Sequence, residues 1–303
     1  MKKLGFLTSL MMIFTMCISP VYALGNETPY FTNMNGVELT KEQYNNLLKG
    51  FSHDTINTMS EEMIDFLKDD TNIQKVSTTK YVKVSTKYVN NEAVSTSEEE
   101  VSKAEFDNSP KESIITKSLI TPMFAASDYV ETDYKKITLD VTFGASISTK
   151  YVTLTNVWKQ IPATKSFDVL AISVGVPSIS FNFNGQRSGY QKWDGNTINY
   201  DASSGNWKIV DSSTIWKKGL GLSQNIVDAT TTSLSNSITV VFLSGALPFP
   251  VRASYQHATS SVTLAQSHDY TLGTDGMGGL IKFSSSVWSK YDNTPGLYAE
   301  LNI

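Results

Sequence analysis

Residues 136–184 read KITLDVTFGASISTKYVTLTNVWKQIPATKSFDVLAISVGVPSISFNFN, and this stretch decides the fold class. In it Tyr151, Thr153, Thr155 and Val157 alternate with Val152, Leu154, Asn156 and Trp158. β-Branched and aromatic residues at every second position form the half-buried face of a strand. Gln160-Ile161-Pro162-Ala163 then interrupts the ladder, because Pro162 has no N–H to donate. Ser166–Val176 resumes as a nearly continuous apolar run, which suits a strand covered on both faces.

Toward the C-terminus the turn signals are dense and no helical periodicity lasts. Asp194-Gly195, Ser204-Gly205, Pro248-Phe249-Pro250 and Gly276-Met277-Gly278-Gly279 punctuate short alternating runs, the pattern of a sandwich or barrel rather than βαβ units. The two Gly turns predict antiparallel strands through 188–210. Leu297–Ile303 alternates like a last strand.

Toward the N-terminus the chain opens on Lys2-Lys3 and an apolar run of 15 residues, Leu4–Ile18. That run is short of the ~20 residues a membrane-spanning helix needs. Ser19-Pro20 breaks it, and Val21-Tyr22-Ala23 has small residues at cleavage spacing, so residues 1–23 read as a signal peptide cleaved after Ala23. Cys17, the only cysteine, lies inside it. The expected mature chain therefore has no disulfide, thiol nucleophile or thiolate ligand, and must be held by packing.

Thr40 and Gln43 make a capping box. Tyr44, Leu47, Leu48 and Phe51 follow as one apolar stripe, and Ile56, Met59, Met63, Phe66 and Leu67 as a second, which predicts two amphipathic helices. Val76–Val89 reads as a strand that Asn90-Asn91 turns back on Ala93-Val94-Ser95. Residues 97–126 shift to charge and Ser, as a solvated linker does, although Val101 and Phe106 could anchor a third helix.

The residues Tyr30-Phe31, Asn33, Asn35-Gly36-Val37, Thr40, Gln43-Tyr44 and Phe51, with the second helix and the Lys-Tyr-Val strand after them, resemble the opening of a group of uncharacterised exported proteins of Gram-positive bacteria. Trp158-Lys-Gln-Ile-Pro162 and Ser166-Phe167-Asp168 resemble a segment of the same group. The resemblance implies export and a helical module before a β-domain. It implies no chemistry.

Charge narrows the function. Residues 24–120 carry 10 basic and 16 acidic groups, and residues 121–303 carry 13 of each. No basic stripe is present to neutralise phosphates, which argues against nucleic acid and anionic lipid as partners. The histidines His53, His257 and His268 form no metal-ligand motif, although His257 and His268 could face each other across a hairpin near Asp269. There is no Gly-x-Ser-x-Gly elbow, and carboxylate pairs are set by folding, not spacing. Neither a catalytic residue, a metal site nor a cofactor is expected.

The constellation with the most chemical content is Tyr190, Trp193, Asp194, Asn196, Tyr200 and Trp207. Aromatic rings beside amides and carboxylates suit a sugar, whose apolar face stacks while its hydroxyls bond. The same pattern describes hairpins whose aromatics pair across strands. Trp193, next to a turn, is the ring expected to be most exposed. A Ser/Thr-rich stretch, Thr230–Val240, could unfold into a membrane hairpin, though a sandwich strand with one wet face explains it too.

The reading is mainly β: a C-terminal antiparallel β-sandwich-like domain with a small α/β N-terminal module. Its divisions are a signal peptide (1–23), a helix-plus-hairpin module (24–96), a linker (97–126) and an all-β domain (127–303). The expected function is secreted, non-catalytic binding of an extracellular partner, with cell-wall or other carbohydrate, or another cell-surface component, as the candidate partner. A membrane-active protein and a carboxylate hydrolase are the alternatives.

Overall fold

The computed structural model describes residues 28–90, 92–110, 114–117, 129–159, 162–174, 180–181, 186–211, 218–226, 234–243, 247–273, 280–292, 294 and 296–302. The N-terminal apolar run with Cys17, residues 230–233 of the Ser/Thr-rich stretch, and Gly276–Gly279 lie outside them.

Two short strands, β1 (Phe31–Thr32) and β2 (Glu38–Leu39), precede helices α1 (Lys41–Leu47), α2 (His53–Thr58) and α3 (Glu61–Asp65). The capping box of α1 forms: Gln43 N–H donates to Thr40 Oγ1 at 3.2 Å, and Thr40 N–H to Gln43 Oε1 at 3.1 Å. The second stripe, expected as one helix, is split into two. Ser52 caps α2 and Ser60 caps α3, with Met59 extended between them. A serine that satisfies the first N–H groups of a helix competes with continuing the previous one. Ile56, Met59, Met63 and Leu67 are nonetheless buried together, and Phe66 is exposed.

The chain continues through β3 (Gln74–Val89), β4 (Glu92–Val101), α4 (Lys103–Asn108), β5 (Ile114–Lys117), β6 (Tyr129–Phe143), β7 (Thr149–Trp158) and β8 (Phe167–Val174). Next come β9 (Ser180–Phe181), β10 (Arg187–Trp193), β11 (Asn196–Tyr200), β12 (Trp207–Asp211), β13 (Lys218–Asn225), β14 (Leu234–Leu243) and β15 (Phe249–Gln256). Helix α5 (Leu264–Ser267), β16 (Tyr270–Leu272), β17 (Ile281–Phe283), a 3-10 turn at Trp288–Lys290 and β18 (Leu297–Leu301) follow.

The fold is mainly β and antiparallel. A nine-stranded sheet runs β11-β10-β14-β7-β6-β3-β4, with β5 beside β6 and β9 beside β14, and a five-stranded sheet runs β12-β13-β8-β15-β18. Strand β3 pairs with β6 from Gln74↔Phe143 to Tyr88↔Tyr129, so the early hairpin is part of the large sheet. Residues 97–110, read as linker, carry the end of β4 and helix α4. The Ser204-Gly205 turn does not close a hairpin: β11 edges the large sheet and β12 the small one, so the chain crosses between sheets there.

Alternation builds the core. Ile137, Leu139 and Val141 of β6 and Leu154 and Trp158 of β7 meet Leu170, Ile172, Val251 and Tyr255 of the small sheet. The opposite face of β8, with Val169 and Ala171, is covered by Val262, Tyr270, Ile281 and Phe283. The apolar run of β8 is thus explained by burial on both sides. The helices cover one end of the large sheet's outer face, where Phe51 and Met63 meet Tyr151 and Val241.

Candidate functional site

The Asp194-Gly195 turn is as the sequence requires, with φ +44° and +77° in a two-residue hairpin between β10 and β11. Alternation then sorts the aromatic constellation. Tyr190 points to α2, while Trp193, Tyr200 and Trp207 join the main core, each 8% exposed. Trp207 Nε1 donates to the Asp201 carbonyl at 2.7 Å, and the Arg187 guanidinium lies 5.5 Å from the centre of its ring. Rings so covered have no free face for a sugar. Of the six residues only Asp194 and Asn196 are exposed, at the tip of the turn.

Tyr190 does line an open groove of about 260 Å³ between α2 and the outer face of the large sheet. Its floor is a set of cross-strand rows, one of them Tyr190–Ser237–Thr155–Thr138–Thr79. These hydroxyls are engaged with one another: Thr155 with Ser237 at 3.1 Å, Thr153 with Thr239 at 3.0 Å, and Thr79 with Thr138 at 3.2 Å. Asp54 at the wall is held by Lys192 at 2.5 Å. The floor is a ladder that stabilises the sheet, with its polar groups already paired.

A second cavity of about 260 Å³ lies between β4 and the 3-10 turn, lined by Val94, Ser95, Thr96, Thr259, Trp288, Ser289 and Asp292 among others. Trp288 is 48% exposed at its rim, whereas Trp158, Trp193 and Trp207 are buried. Val94 opposite is 54% exposed. Among the described residues strand β4 is the last strand of its sheet, with no strand paired to its outer edge. The Trp288 indole, Ser95, Thr259 and Ser289 therefore line one opening, while the Thr96 hydroxyl is engaged with that of Thr86 at 3.3 Å. The sequence signal was slight: in Ser284–Asp292 a lone Trp stands among serines with no strand alternation, where no ladder would bury it.

Below this cavity the two sheets are joined by buried charge. Lys135 on β6, fully buried, donates from Nζ to Glu98 Oε1 at 2.6 Å, Asp292 Oδ2 at 2.7 Å and Thr294 Oγ1 at 2.5 Å. Asp292 Oδ1 accepts from the His257 N–H at 2.8 Å. Asp168 Oδ1 meets His257 Nδ1 at 2.9 Å and accepts from Ala258 N–H at 3.0 Å, while its other oxygen accepts from the Tyr255 hydroxyl. Tyr255 in turn accepts from Trp158 Nε1 at 2.7 Å. His257 and His268 do not face each other. The first is buried against Asp168, and the second lies with Nε2 3.0 Å from the Asn206 carbonyl.

Burial dominates the titration of these groups. It pushes the Glu98 carboxyl up to about 7, although Lys135 pulls the other way. Burial lowers the Lys135 ammonium and the His257 imidazolium, but the carboxylates of Asp292, Glu98 and Asp168 outweigh it, and both stay above their usual ranges. Asp292 is opposed by burial and held below its usual range by Lys135 and His257.

Among the described residues no cluster of three or more His, Cys, Asp or Glu is arranged to hold a metal ion, and no helix is long and apolar enough to cross a membrane. No family model matches the chain, and no curated protein matches it. Two solved structures show a weak likeness. One is the C-terminal domain of the Streptococcus pyogenes antigen I/II-family protein AspA, with TM-score 0.26, 9% identity, and 58% of this chain and 80% of that one covered. The other, named BspA_C_mut, has TM-score 0.24, 10% identity, and covers 58% and 79%. Likeness at this level carries no argument about fold or function.

Proposed function

We propose that this is an exported, non-catalytic binding protein that takes a saccharide of the cell surface or wall in the cavity beside Trp288. The observation that carries the reading is that one indole, 48% exposed, stands at the rim of a cavity lined by Ser95, Thr96, Thr259 and Ser289. A pyranose has an apolar face for the ring and hydroxyls for the side chains. The side chain of Asp292 is turned inward to Lys135, so the opening has little net charge and suits a neutral sugar. Export rests on the Lys2-Lys3 leader ending at Ala23.

The test is retention on insoluble cell-wall polysaccharide from a Gram-positive bacterium. The wild-type chain should be retained and released by soluble oligosaccharide, and Trp288→Ala should pass through unretained with an unchanged circular dichroism spectrum. A wild-type chain that is not retained, or a Trp288→Ala variant retained as well as wild type, would overturn the reading.

A further inference from the structure

We propose that Lys135 and Asp292 become joined by an intramolecular amide bond after folding, with Glu98 as the acid–base group that forms it. The amine and the carboxyl already touch, Nζ to Oδ2 at 2.7 Å, and Glu98 Oε1 is 2.6 Å from the same nitrogen. Side-chain exposure is 0% for Lys135 and for Asp292 and 7% for Glu98. The rings of Trp158 and Tyr255 wall the amine, with centres 5.2 and 5.4 Å from Nζ.

Three features of the site favour the amide over the ion pair. Two charges out of water are held at a desolvation cost that a neutral amide does not carry. The acid is present in the right form: Glu98 Oε2 is buried without a hydrogen-bond partner, which disfavours its charged state, and burial keeps its proton on up to about 7. The donor arrangement is asymmetric in the required sense. The His257 N–H holds Asp292 Oδ1, the oxygen that would remain as the amide carbonyl, while Oδ2 faces Lys135 and would leave.

The step balances without a co-reactant. With Glu98 already protonated, a proton passes from the Lys135 ammonium to Oδ2 of the Asp292 carboxylate, against the charges that hold both groups ionised, which leaves a neutral amine beside a neutral acid. The Nζ lone pair attacks Cγ of Asp292 and forms the C–N bond, and negative charge builds on Oδ1 against the His257 N–H. Glu98 gives its proton to Oδ2, the C–O bond breaks, and Glu98 recovers a proton from the nitrogen. Ammonium plus carboxylate thus become amide plus water, with no change of oxidation state. Asp292 also lines the cavity beside Trp288, which gives the water a way out.

The bond would tie β6 of the large sheet to the segment that leads into β18 of the small one, across a separation of 157 residues. That is the staple a disulfide provides in other exported chains, and here the only cysteine lies in the leader.

Mass spectrometry of the folded full chain decides it. The wild-type mass should fall short of the sequence mass by one water, and a digest should yield one branched peptide joining the Lys135 and Asp292 segments. Lys135→Arg, which keeps the cation but not the nucleophile, and Asp292→Ala should restore the full mass. Glu98→Gln should leave the two segments unjoined. Wild-type protein at full mass, a water loss that maps to another site, or a Glu98→Gln chain joined as completely as wild type would overturn the proposal. Should the variants fail to fold, the wild-type mass and the branched peptide decide the bond on their own.

Discussion

Two sets of aromatic residues have opposite fates. Trp193, Tyr200 and Trp207 come from three successive strands, two in the large sheet and one in the small, and close the main core. Trp288 comes from a 3-10 turn among serines and stays half in water. The difference is register. A strand commits every second side chain to one face, and when an opposing sheet lies there the ring is buried however close it stands to a turn. A one-turn helix imposes no such commitment. Dense aromatics therefore mark where the sandwich closes, and the solitary one stands at the rim of an open cavity.

The comparison breaks most easily at Trp193. Removing its side chain leaves a hole between the sheets, so Trp193→Ala should cost about 3–5 kcal/mol in denaturant unfolding, while the folded fraction keeps its binding. A cost below about 1 kcal/mol, within the range of ordinary surface changes, would mean that the ring is not core.

Charge shows the same contrast between inside and outside, with the next largest effect. Exposed pairs such as Lys103–Asp107 contribute little. Glu98, buried, titrates at about 7 when folded against 4.5 as its ordinary value. The folded state therefore binds more protons than the unfolded one between those values, so stability is fully present below about 4.5 and is lost as pH rises through about 7. His257, also raised, adds a loss in the same direction as pH rises through its folded value. Thermal midpoints should fall from about pH 5 to about pH 8, by an equivalent of on the order of 3 kcal/mol at most, and Glu98→Gln should flatten most of that slope. The sign does not depend on the amide, because burial raises Glu98 with or without a charged Lys135. A midpoint that rises over this range would refute the assignment.

How much was legible follows from what is local. The capping box at Thr40, the turn at Asp194-Gly195, the return at Asn90 and the doubly covered run of β8 were all readable, since each depends on neighbours in sequence. The break at Ser60 was missed because an apolar stripe continues through Met59 whether or not the helix does. The crossing at Ser204-Gly205 was missed because a turn signal does not say which sheet receives the next strand. The Lys135–Glu98–Asp292 cluster and the cavity beside Trp288 join residues from β4, β6 and the segment before β18, and no spacing in the chain announces such a meeting.

A smaller effect tests the helical module, whose contact with the large sheet runs through Phe51 and Tyr151. Thr40→Ala removes one side of the box and leaves the Gln43 N–H without its acceptor. It should cost about 1 kcal/mol. If helices and sheets unfold together the whole transition shifts by that amount, and if α1 frays alone only amide exchange over 41–47 accelerates.

The smallest stability effect is expected where the functional effect is largest. Trp288 is half exposed, its turn lacks a side-chain cap, and no strand ladder depends on it. Trp288→Ala should therefore change unfolding free energy by no more than about 0.5 kcal/mol. The same change removes the only aromatic face at the rim among the described residues that is broad enough to stack on a sugar, and should lower retention on wall polysaccharide at least about tenfold, the equivalent of ~1.4 kcal/mol of contact. Trp288→Tyr, which keeps a flat ring, should recover part of it. A Trp288→Ala chain that loses stability as Trp193→Ala does would place this ring in the core as well. The contrast between the two regions would then be one of degree, and the cavity would lose its claim to a ligand.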